Sequence, residues 1–325
     1  MKKLIAFVLA FTLLLSLCAC DRVEAISSRS ASETATPMPA VTATAEPAAE
    51  ATNTPEPELQ EPKPTAAPVQ AGYIMEDYVV VKNEKCALTI TSIDPDGYYD
   101  YGFVLTFLCE NFTDKSLIFT TDDECINGYM VSSLFIQTVP AGESASSEMW
   151  FSKNDLELCG ITMVEELTFL LEIHDSEDYS AEYLVEEDFT VYLTGLSADT
   201  VTYAERAPQE SDVVVLDDEN ITFIITGNGT DKYWGYQVNC YIVNKTDKTL
   251  WLSLDKASVN GAALRPSFYV EIRPGKRAYA NASFKTSDLE ANNIQTVEVV
   301  EFTLQMVNTS NYRKVGGDKA ITYKP

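Results

Sequence analysis

Acidic side chains are the most abundant groups in this sequence that could carry out chemistry. The chain has 49 Asp and Glu against 23 Lys and Arg, which gives a net charge of −26. These acids are densest between residues 172 and 188. Because Ca²⁺ binds several oxygen ligands at once, this stretch is a candidate for a weak calcium site. Its proposed ligands are Asp175, Glu177, Asp178 and Glu182, and the alternative is a solvated acidic face that keeps the protein soluble.

A second acidic pattern is Asp94-Pro95-Asp96-Gly97, followed by Asp100. It resembles a calcium loop but lacks a bidentate Glu at the required spacing. Asp, Pro and Gly are also the residues of tight turns, so the pattern favours a hairpin turn over a cation site.

Catalytic side chains are scarce. The only histidine, His174, lies in the acidic stretch, where we expect a solvated side chain. Nucleophile triads and His-based metal sites therefore lack their residues, and there is no glycine-rich phosphate loop. The sequence predicts a protein that is not an enzyme and has no cofactor beyond weakly bound calcium. Its negative charge disfavours nucleic acid as a partner.

Aromatic residues are the better candidates for contacts with a partner. Tyr98, Tyr99 and Tyr101 lie beside the predicted hairpin turn, and Tyr233 and Trp234 lie at the equivalent place in the second half of the chain. Exposed aromatic rings of this kind are enriched in binding surfaces. The alternative is that the rings pack across neighbouring strands.

An internal repeat organises the rest of the sequence. Asn111, Thr113, Asp114, Lys115 and Leu117 recur 133 positions later, without gaps, as Asn244, Thr246, Asp247, Lys248 and Leu250. The same offset relates the two Asn-Gly dipeptides, at 127–128 and 260–261. It also relates Asp155-Leu156 to Asp288-Leu289. We interpret this as a duplication.

Each copy has the pattern of β-strands. A period of two residues, as expected of a strand with one face on a core, runs through 103–110 and 236–243. The series expected to face the core are Phe103, Leu105, Phe107 and Cys109 in copy one and Tyr236, Val238, Cys240 and Ile242 in copy two. The Asn-Gly pairs predict tight hairpin turns. Further strands are predicted near 131–139, 144–151 and 185–194, with short helical or looped pieces at 152–158 and 286–291. Seven or eight short strands per copy predict an all-β fold of two tandem immunoglobulin-like β-sandwich domains, each with its own sheets.

The repeat also bears on the cysteines. Cys109 and Cys240 occupy positions that are apolar in the other copy, which predicts that both are buried packing residues. A disulfide between Cys125 and Cys159 remains open. The cysteine spacings match no zinc pattern.

The N-terminus has the features of a bacterial lipoprotein signal. Lys2-Lys3 precede an apolar run from Leu4 to Leu17, and Leu17-Cys18-Ala19-Cys20 fits a lipobox with Cys20 as the lipidated residue. We therefore expect a lipid anchor on the extracytoplasmic face of the cell membrane. The following Pro-, Thr-, Ala- and Glu-rich stretch is predicted to be a disordered tether.

These features predict five parts of the chain. They are a signal peptide (1–19), a lipidated cysteine and tether (20–72), copy one (73–195), a connector (196–206) and copy two (207–325). The charge is uneven, because residues 73–195 hold 25 acids against 4 Lys whereas residues 196–325 hold 16 acids against 14 bases.

The repeated motifs resemble those of a known group of proteins. The motifs Asn-X-Thr-Asp-Lys, Asn-Gly, Pro-X-Gly or Pro-Gly-Lys, and Ser-X-X-Asp-Leu together are similar to repeats of uncharacterised Firmicutes cell-surface lipoproteins with tandem immunoglobulin-like domains. Copy one departs from this pattern with Glu143 and Asn154. The resemblance implies fold and location, and it transfers no catalytic residue.

Together these predictions describe a non-enzymatic cell-surface lipoprotein that presents two domains to an envelope or extracellular protein or glycan. Two alternatives remain. One is a structural spacer or envelope-stress component without a ligand, and the other is a weak calcium-binding adhesion module.

Overall fold

The computed structural model describes residues 72–73, 77–203 and 205–325. Regular structure in these residues is almost entirely β-strand, with two helices of six residues each. The all-β prediction is confirmed. None of the helices in this part of the chain is long and apolar enough to cross a membrane.

Residues 72–195, here called the first segment, contain nine strands and one helix among the described residues. They are β1 Tyr78–Lys82, β2 Cys86–Asp94, β3 Tyr101–Asn111, β4 Leu117–Ile126, β5 Tyr129–Met130, β6 Ile136–Val139, β7 Ser144–Ser152, α1 Lys153–Leu158, β8 Glu166–Asp175 and β9 Val185–Tyr192.

Residues 205–325, the second segment, contain ten strands and one helix. They are β10 Val213–Asp217, β11 Ile221–Asp231, β12 Gly235–Asn244, β13 Leu250–Val259, β14 Ala262–Ala263, β15 Val270–Ile272, β16 Arg277–Phe284, α2 Thr286–Ala291, β17 Val300–Asn308, β18 Arg313–Lys314 and β19 Lys319–Tyr323.

The predicted inward series is largely buried in the two central strands, although Val104 and Tyr241 on the opposite faces are buried as well. In β3, Phe103, Leu105, Phe107 and Cys109 are buried. In β12, the inward residues are Val238, Cys240 and Ile242. These residues belong to two separate hydrophobic cores, one in each segment, so each segment buries its own apolar faces.

The strands form three sheets. The first sheet has the order β1-β2-β3-β7, and the last contains β13, β14, β15, β17, β18 and β19. The middle sheet has nine strands, with the order β10-β11-β12-β16-β5-β4-β8-β9 and β6 beside β4. Each core therefore lies between the middle sheet and one outer sheet.

The middle sheet differs from the prediction that each copy keeps its sheets to itself. The short strand β5 pairs in parallel with β16, with Tyr129 opposite Arg277 and Met130 opposite Ala278. The Arg277 N–H donates to the Gly128 carbonyl at 3.0 Å. An edge strand leaves backbone groups unpaired, and the hairpin of the first segment covers the edge of β16 in this way.

The repeated turns have matching hydrogen bonds. The Asn111 side-chain amide donates to the carbonyls of Lys115, Val139 and Pro140, and that of Asn244 donates to the carbonyls of Lys248, Ile272 and Arg273. Both amide groups are buried. Each Asn fixes the turn after its strand to a second loop of the same segment.

Candidate binding surfaces at the hairpin tips

The tip of the β2–β3 hairpin is a turn held by Asp94. The Asp94 carboxylate accepts hydrogen bonds from the N–H groups of Asp96 (3.2 Å) and Gly97 (3.0 Å), and Gly97 has a φ of 59°. Asp side chains commonly bond the backbone in turns of this kind. The structure thus supports the hairpin-turn interpretation of this acidic pattern.

The predicted tyrosines of the first segment form a cluster at this tip. The Tyr98 ring lies 5.7 Å from that of Tyr99 and 5.1 Å from that of Tyr101, edge to face in both cases. Tyr101 stacks on Trp150 of β7 at 4.2 Å. The Tyr98 hydroxyl donates to Glu148 at 2.6 Å, which raises the pKa of Tyr98 to about 12.

Only part of this cluster faces solvent. Tyr99 is 94% exposed and has a left-handed backbone (φ 55°), an uncommon conformation for a bulky residue. Tyr101 and Trp150 are half-buried against each other. Of the three predicted contacts, Tyr99 projects fully into solvent and Tyr98 is 40% exposed, whereas Tyr101 lies beneath Tyr98 and is half-buried. Sequence reasoning missed Trp150 because it belongs to a different strand.

The tip of the β11–β12 hairpin holds the aromatic residues of the second segment. The Asp231 carboxylate accepts hydrogen bonds from the N–H groups of Tyr233 (2.7 Å) and Trp234 (2.8 Å). Tyr233 is 82% exposed and Trp234 is 59% exposed. The Lys232 ammonium lies 5.3 Å from the centre of the Tyr233 ring. Both predicted residues are thus at the surface, on a turn with a fixed backbone.

The structure does not bring the four proposed calcium ligands together. Asp175 is buried, forms a 2.6 Å ion pair with Lys115 and accepts a hydrogen bond from the Glu177 N–H. Asp178 accepts hydrogen bonds from the N–H and hydroxyl of Ser180. In the described residues, no group of three or more His, Cys, Asp and Glu side chains could hold a metal ion. Glu182 is exposed.

The prediction of a solvated His174 is wrong. His174 lies in β8, is 7% exposed, and its Nδ1 is 2.9 Å from the Asp175 carbonyl oxygen. The rings of Tyr179 and Tyr183 pack against it at 5.4 Å and 5.0 Å. The loop after β8 folds back over the imidazole, a contact between neighbouring elements that local composition does not reveal.

The cysteines in the described residues are all free. Cys109 and Cys240 are buried, as predicted. Cys86 and Cys125 are buried too, and Cys159 is partly exposed. Burial raises the pKa of the Cys109 and Cys240 thiols to about 12, so neither is a reactive thiolate at neutral pH. The structure has no Cys125–Cys159 disulfide.

The basic residues of the second segment meet the acidic residues of the first. Arg273 contacts Asp188 at 2.8 Å and Asp123 at 3.9 Å, and its Nε donates to the Asp123 carbonyl at 2.8 Å. Lys276 pairs with Glu166 at 3.0 Å. Both cationic side chains are largely buried. Cations of the second segment and carboxylates of the more acidic first segment therefore form ion pairs where the two segments meet.

Tyrosine rings fill the rest of this junction. Tyr129 of β5 stacks with Tyr279 of β16 at 6.1 Å, and their planes differ by 6°. The Arg277 guanidinium lies 5.0 Å from the centre of the Tyr129 ring. Met130 packs against the core of the second segment. The junction thus combines strand pairing, ion pairs and aromatic contacts.

Cys20, the predicted site of lipidation, lies outside the described residues. The signal peptide and almost all of the tether also lie outside them.

The described residues define an all-β protein with exposed aromatic rings at two hairpin tips. No protein-family model matches the sequence, and no curated protein matches it.

Several solved structures are similar to the chain at low identity. The Salmonella enterica SafA pilin in complex with the SafB chaperone is 9% identical, covering 68% of this chain and 89% of that one, with a TM-score of 0.19. A protein of unknown function from Porphyromonas gingivalis W83 is 13% identical, with coverages of 69% and 91% and a TM-score of 0.19. Red sea bream transglutaminase is 10% identical, with coverages of 75% and 32% and the same TM-score. At this TM-score, none of them assigns a fold or a function to the chain.

Proposed function

We propose that this chain is a non-enzymatic binding protein of the bacterial cell surface. Lipid on Cys20 holds it to the extracytoplasmic face of the membrane, and a tether carries two immunoglobulin-like domains outward. These domains, residues 73–195 and 207–325, are tandem copies that bind an envelope or extracellular partner. The lipobox and the resemblance to Firmicutes surface lipoproteins support the location.

The strand pairing supports the immunoglobulin-like assignment. In the first segment, β3 pairs with β7 and β2, while β4 pairs with β8, which pairs with β9. The chain crosses between the sheets from β3 to β4 and again from β7 to β8. This is the pairing of strands B with E and C with F in an immunoglobulin sandwich. In the second segment β12 pairs with β16 and β13 with β17.

The observation that carries the binding function is the exposure of aromatic rings at both tips. Tyr99, Tyr233 and Trp234 are 94%, 82% and 59% exposed. Tyr and Trp dominate binding energy in interfaces because they bury large areas and lose little side-chain entropy. Each tip is also held by Asp–backbone hydrogen bonds, so the backbone that carries the rings needs little ordering when a partner binds.

The test is co-sedimentation of the purified chain with an isolated Gram-positive cell-envelope fraction. We expect the triple variant Tyr99→Ala, Tyr233→Ala and Trp234→Ala to bind at least tenfold more weakly, because truncated hot-spot residues cost about 2 kcal/mol or more. Tyr312→Ala is the matched control, since Tyr312 is 78% exposed but lies at neither tip. Equal binding by wild type and triple variant would exclude the tips as the binding surface.

The alternative function is a structural spacer without a ligand. The shared middle sheet supports it, because strand pairing across the junction makes the two segments a continuous β-structure. A spacer predicts that the wild-type chain does not co-sediment with any envelope fraction.

The anchor is tested separately. Cys20→Ala should release the protein from the membrane fraction of expressing cells, because a lipoprotein lacking its acylated cysteine has no anchor. Cys18→Ala is the control and should leave the protein attached. Release by Cys18→Ala alone would show that the other cysteine carries the lipid.

A further inference from the structure

A cleft of about 710 Å³ lies beside α2 in the second segment. Its walls include Tyr236 of β12, Leu289 and Glu290 of α2, and Ile294 and Val297 of the loop that follows. The cleft therefore has an aromatic wall, an aliphatic wall and one acidic group. It lies directly behind the aromatic tip, because Thr230 and Tyr236 line it and are paired at the base of the β11–β12 hairpin.

The first segment has the same wall residues at the positions 133 residues earlier. Tyr236, Leu289, Glu290, Ile294 and Val297 correspond to Phe103, Leu156, Glu157, Ile161 and Val164. Four of these five pairs are identical, and the fifth pairs two aromatic residues. The two sites therefore offer nearly the same chemistry.

In the first segment this place is occupied by a tyrosine of the chain itself. The Tyr73 ring packs against Phe103 with 5.6 Å between ring centres. The Val164 N–H donates to the Tyr73 hydroxyl oxygen at 3.0 Å. Tyr73 also packs against the core of the first segment. This contact shows which group fits such a site: a phenol whose oxygen bonds one backbone N–H.

The second segment has no such residue of its own. The position 133 residues after Tyr73 is Arg206, whose guanidinium is held by Asp212 and by the Tyr279 hydroxyl. Among the residues that the structure describes, the Tyr236 hydroxyl is buried without a hydrogen-bond partner and the Val297 N–H has no acceptor. The cleft therefore leaves free the backbone donor whose counterpart, the Val164 N–H, bonds the Tyr73 hydroxyl in the first segment.

We propose that the cleft beside α2 binds a tyrosine side chain of a partner polypeptide. The phenol ring lies against Tyr236, as that of Tyr73 lies against Phe103, and its oxygen accepts the hydrogen bond of the Val297 N–H. The volume exceeds that of one ring, so residues flanking the tyrosine enter as well. The inference deepens the proposed binding function by assigning a polypeptide as the partner of the second segment.

The probe is an acetylated peptide with the sequence of residues 71–77, Ala-Gly-Tyr-Ile-Met-Glu-Asp, which carries the tyrosine that fills the first site. It is titrated into the purified chain and followed by amide chemical shifts and calorimetry. We expect the amides of Ile294 and Val297 to shift, while those of Ile161 and Val164 stay unchanged because Tyr73 already fills that site. Shifts confined to other regions would overturn the proposal.

Peptide variants test the phenol. Replacing the tyrosine with Phe removes the hydrogen bond and should weaken binding about threefold to tenfold. Replacing it with Ala should abolish measurable binding. Equal affinities for the Tyr and Ala peptides would contradict the proposal, since the ring would then have no role.

Variants of the protein give a second check. Ile294→Asp, whose folding is verified by its melting curve, should weaken the Tyr peptide at least tenfold, whereas the matched Ile161→Asp should leave its affinity unchanged. The shift mapping does not depend on either variant. If cellohexaose shifts the Val297 amide and the peptide does not, the cleft is a glycan site and the proposal is wrong.

These results are separable from the proposed function. If the chain binds the envelope fraction but not the peptide, only the tyrosine-binding proposal is contradicted. If the chain binds the peptide but no envelope fraction, the proposed surface function is contradicted instead.

Discussion

Asn111 and Asn244 are buried amides that hold the turns after β3 and β12 in place. The amide of each donates to three backbone carbonyls, two in loops and one at the end of a strand, and its oxygen accepts from the N–H and hydroxyl of a nearby Thr. Asn244→Ala leaves those buried carbonyls without donors. We expect a loss of about 2 to 4 kcal/mol in the free energy of unfolding. Chemical denaturation measures it, and Asn281→Ala, at an exposed position, should change stability by less than about 0.5 kcal/mol.

Asp123 is an acidic residue that the fold holds in an unfavourable environment. Burial, with a contribution from Glu271, raises the pKa of its carboxyl to about 6 despite the nearby Arg273. Because the folded-state pKa is above the unfolded value, the folded protein binds the additional proton. Its contribution to stability is therefore full below about pH 4 and is lost as the pH rises through about 6.

Asp123→Asn should therefore stabilise the protein at pH 7, by at most about 3 kcal/mol. It should also remove part of the pH dependence of stability between pH 4 and 6. Asn suits the site because it tolerates the positive φ of 55° found there. Urea denaturation at pH 4, 5, 6 and 7 provides the measurement. If the variant is less stable than wild type at pH 7, the Asp123–Arg273 attraction outweighs the cost of burial.

At the scale of elements, the β11–β12 hairpin depends on Gly235. Its φ is 80°, and an added Cβ would overlap the Phe284 carbonyl oxygen and lie 2.7 Å from the Thr286 nitrogen. The hairpin therefore packs directly on the start of α2. Gly102, the counterpart of Gly235, is equally close to Lys153 at the start of α1.

Gly235→Ala should destabilise the second segment by about 3 kcal/mol or more, because the clash is with backbone atoms and the backbone conformation is strained. Thermal unfolding measures the change. Gly229→Ala is the control in the same hairpin, since no atom lies within 4 Å of the added Cβ and φ is not positive. Similar losses in both variants would show that the close approach at Gly235 is not the cause.

At the scale of the whole molecule, the junction joins two segments of very different charge. Removing Lys276 leaves Glu166 as a buried carboxylate without its partner, which typically costs 3–5 kcal/mol. Removing Arg273 breaks contacts to Asp123 and Asp188. Among the residues that the structure describes, strand pairing across the junction extends over two residues. The junction therefore depends also on these ion pairs and on the tyrosine contacts.

The double variant Arg273→Ala, Lys276→Ala should open the junction without unfolding either core. We expect the Arg277 amide, which donates to Gly128, to exchange with deuterium at least tenfold faster, while the Ile242 amide in β12 keeps its rate. Arg313→Ala is the control, because that residue is exposed and belongs to β18 of the last sheet, which does not include β16. Unchanged exchange at Arg277 would show that strand pairing and tyrosine packing suffice.

Features that depend on local pattern could be predicted from the amino-acid sequence. Alternating residues in β3 and β12 specify strands because side chains of a strand point to opposite faces in turn. The Asn-Gly turns and the burial of Cys109 and Cys240 followed from residue type and from the 133-residue offset. The place of Tyr233 and Trp234 beside a turn was also evident, but the sequence left open whether their rings face solvent or pack across strands.

Contacts between residues far apart in the chain became apparent only from the folded structure. Burial of His174 depends on a loop that returns over β8, and the support of Tyr98 and Tyr101 depends on Glu148 and Trp150 of another strand. The shared middle sheet depends on two residues of β5 reaching the edge of β16. Tyr73 fills the site beside α1 through a hydrogen bond from Val164, which lies 91 residues later in the chain. Such contacts are set by the packing of whole elements, and short-range periodicity contains no information about them.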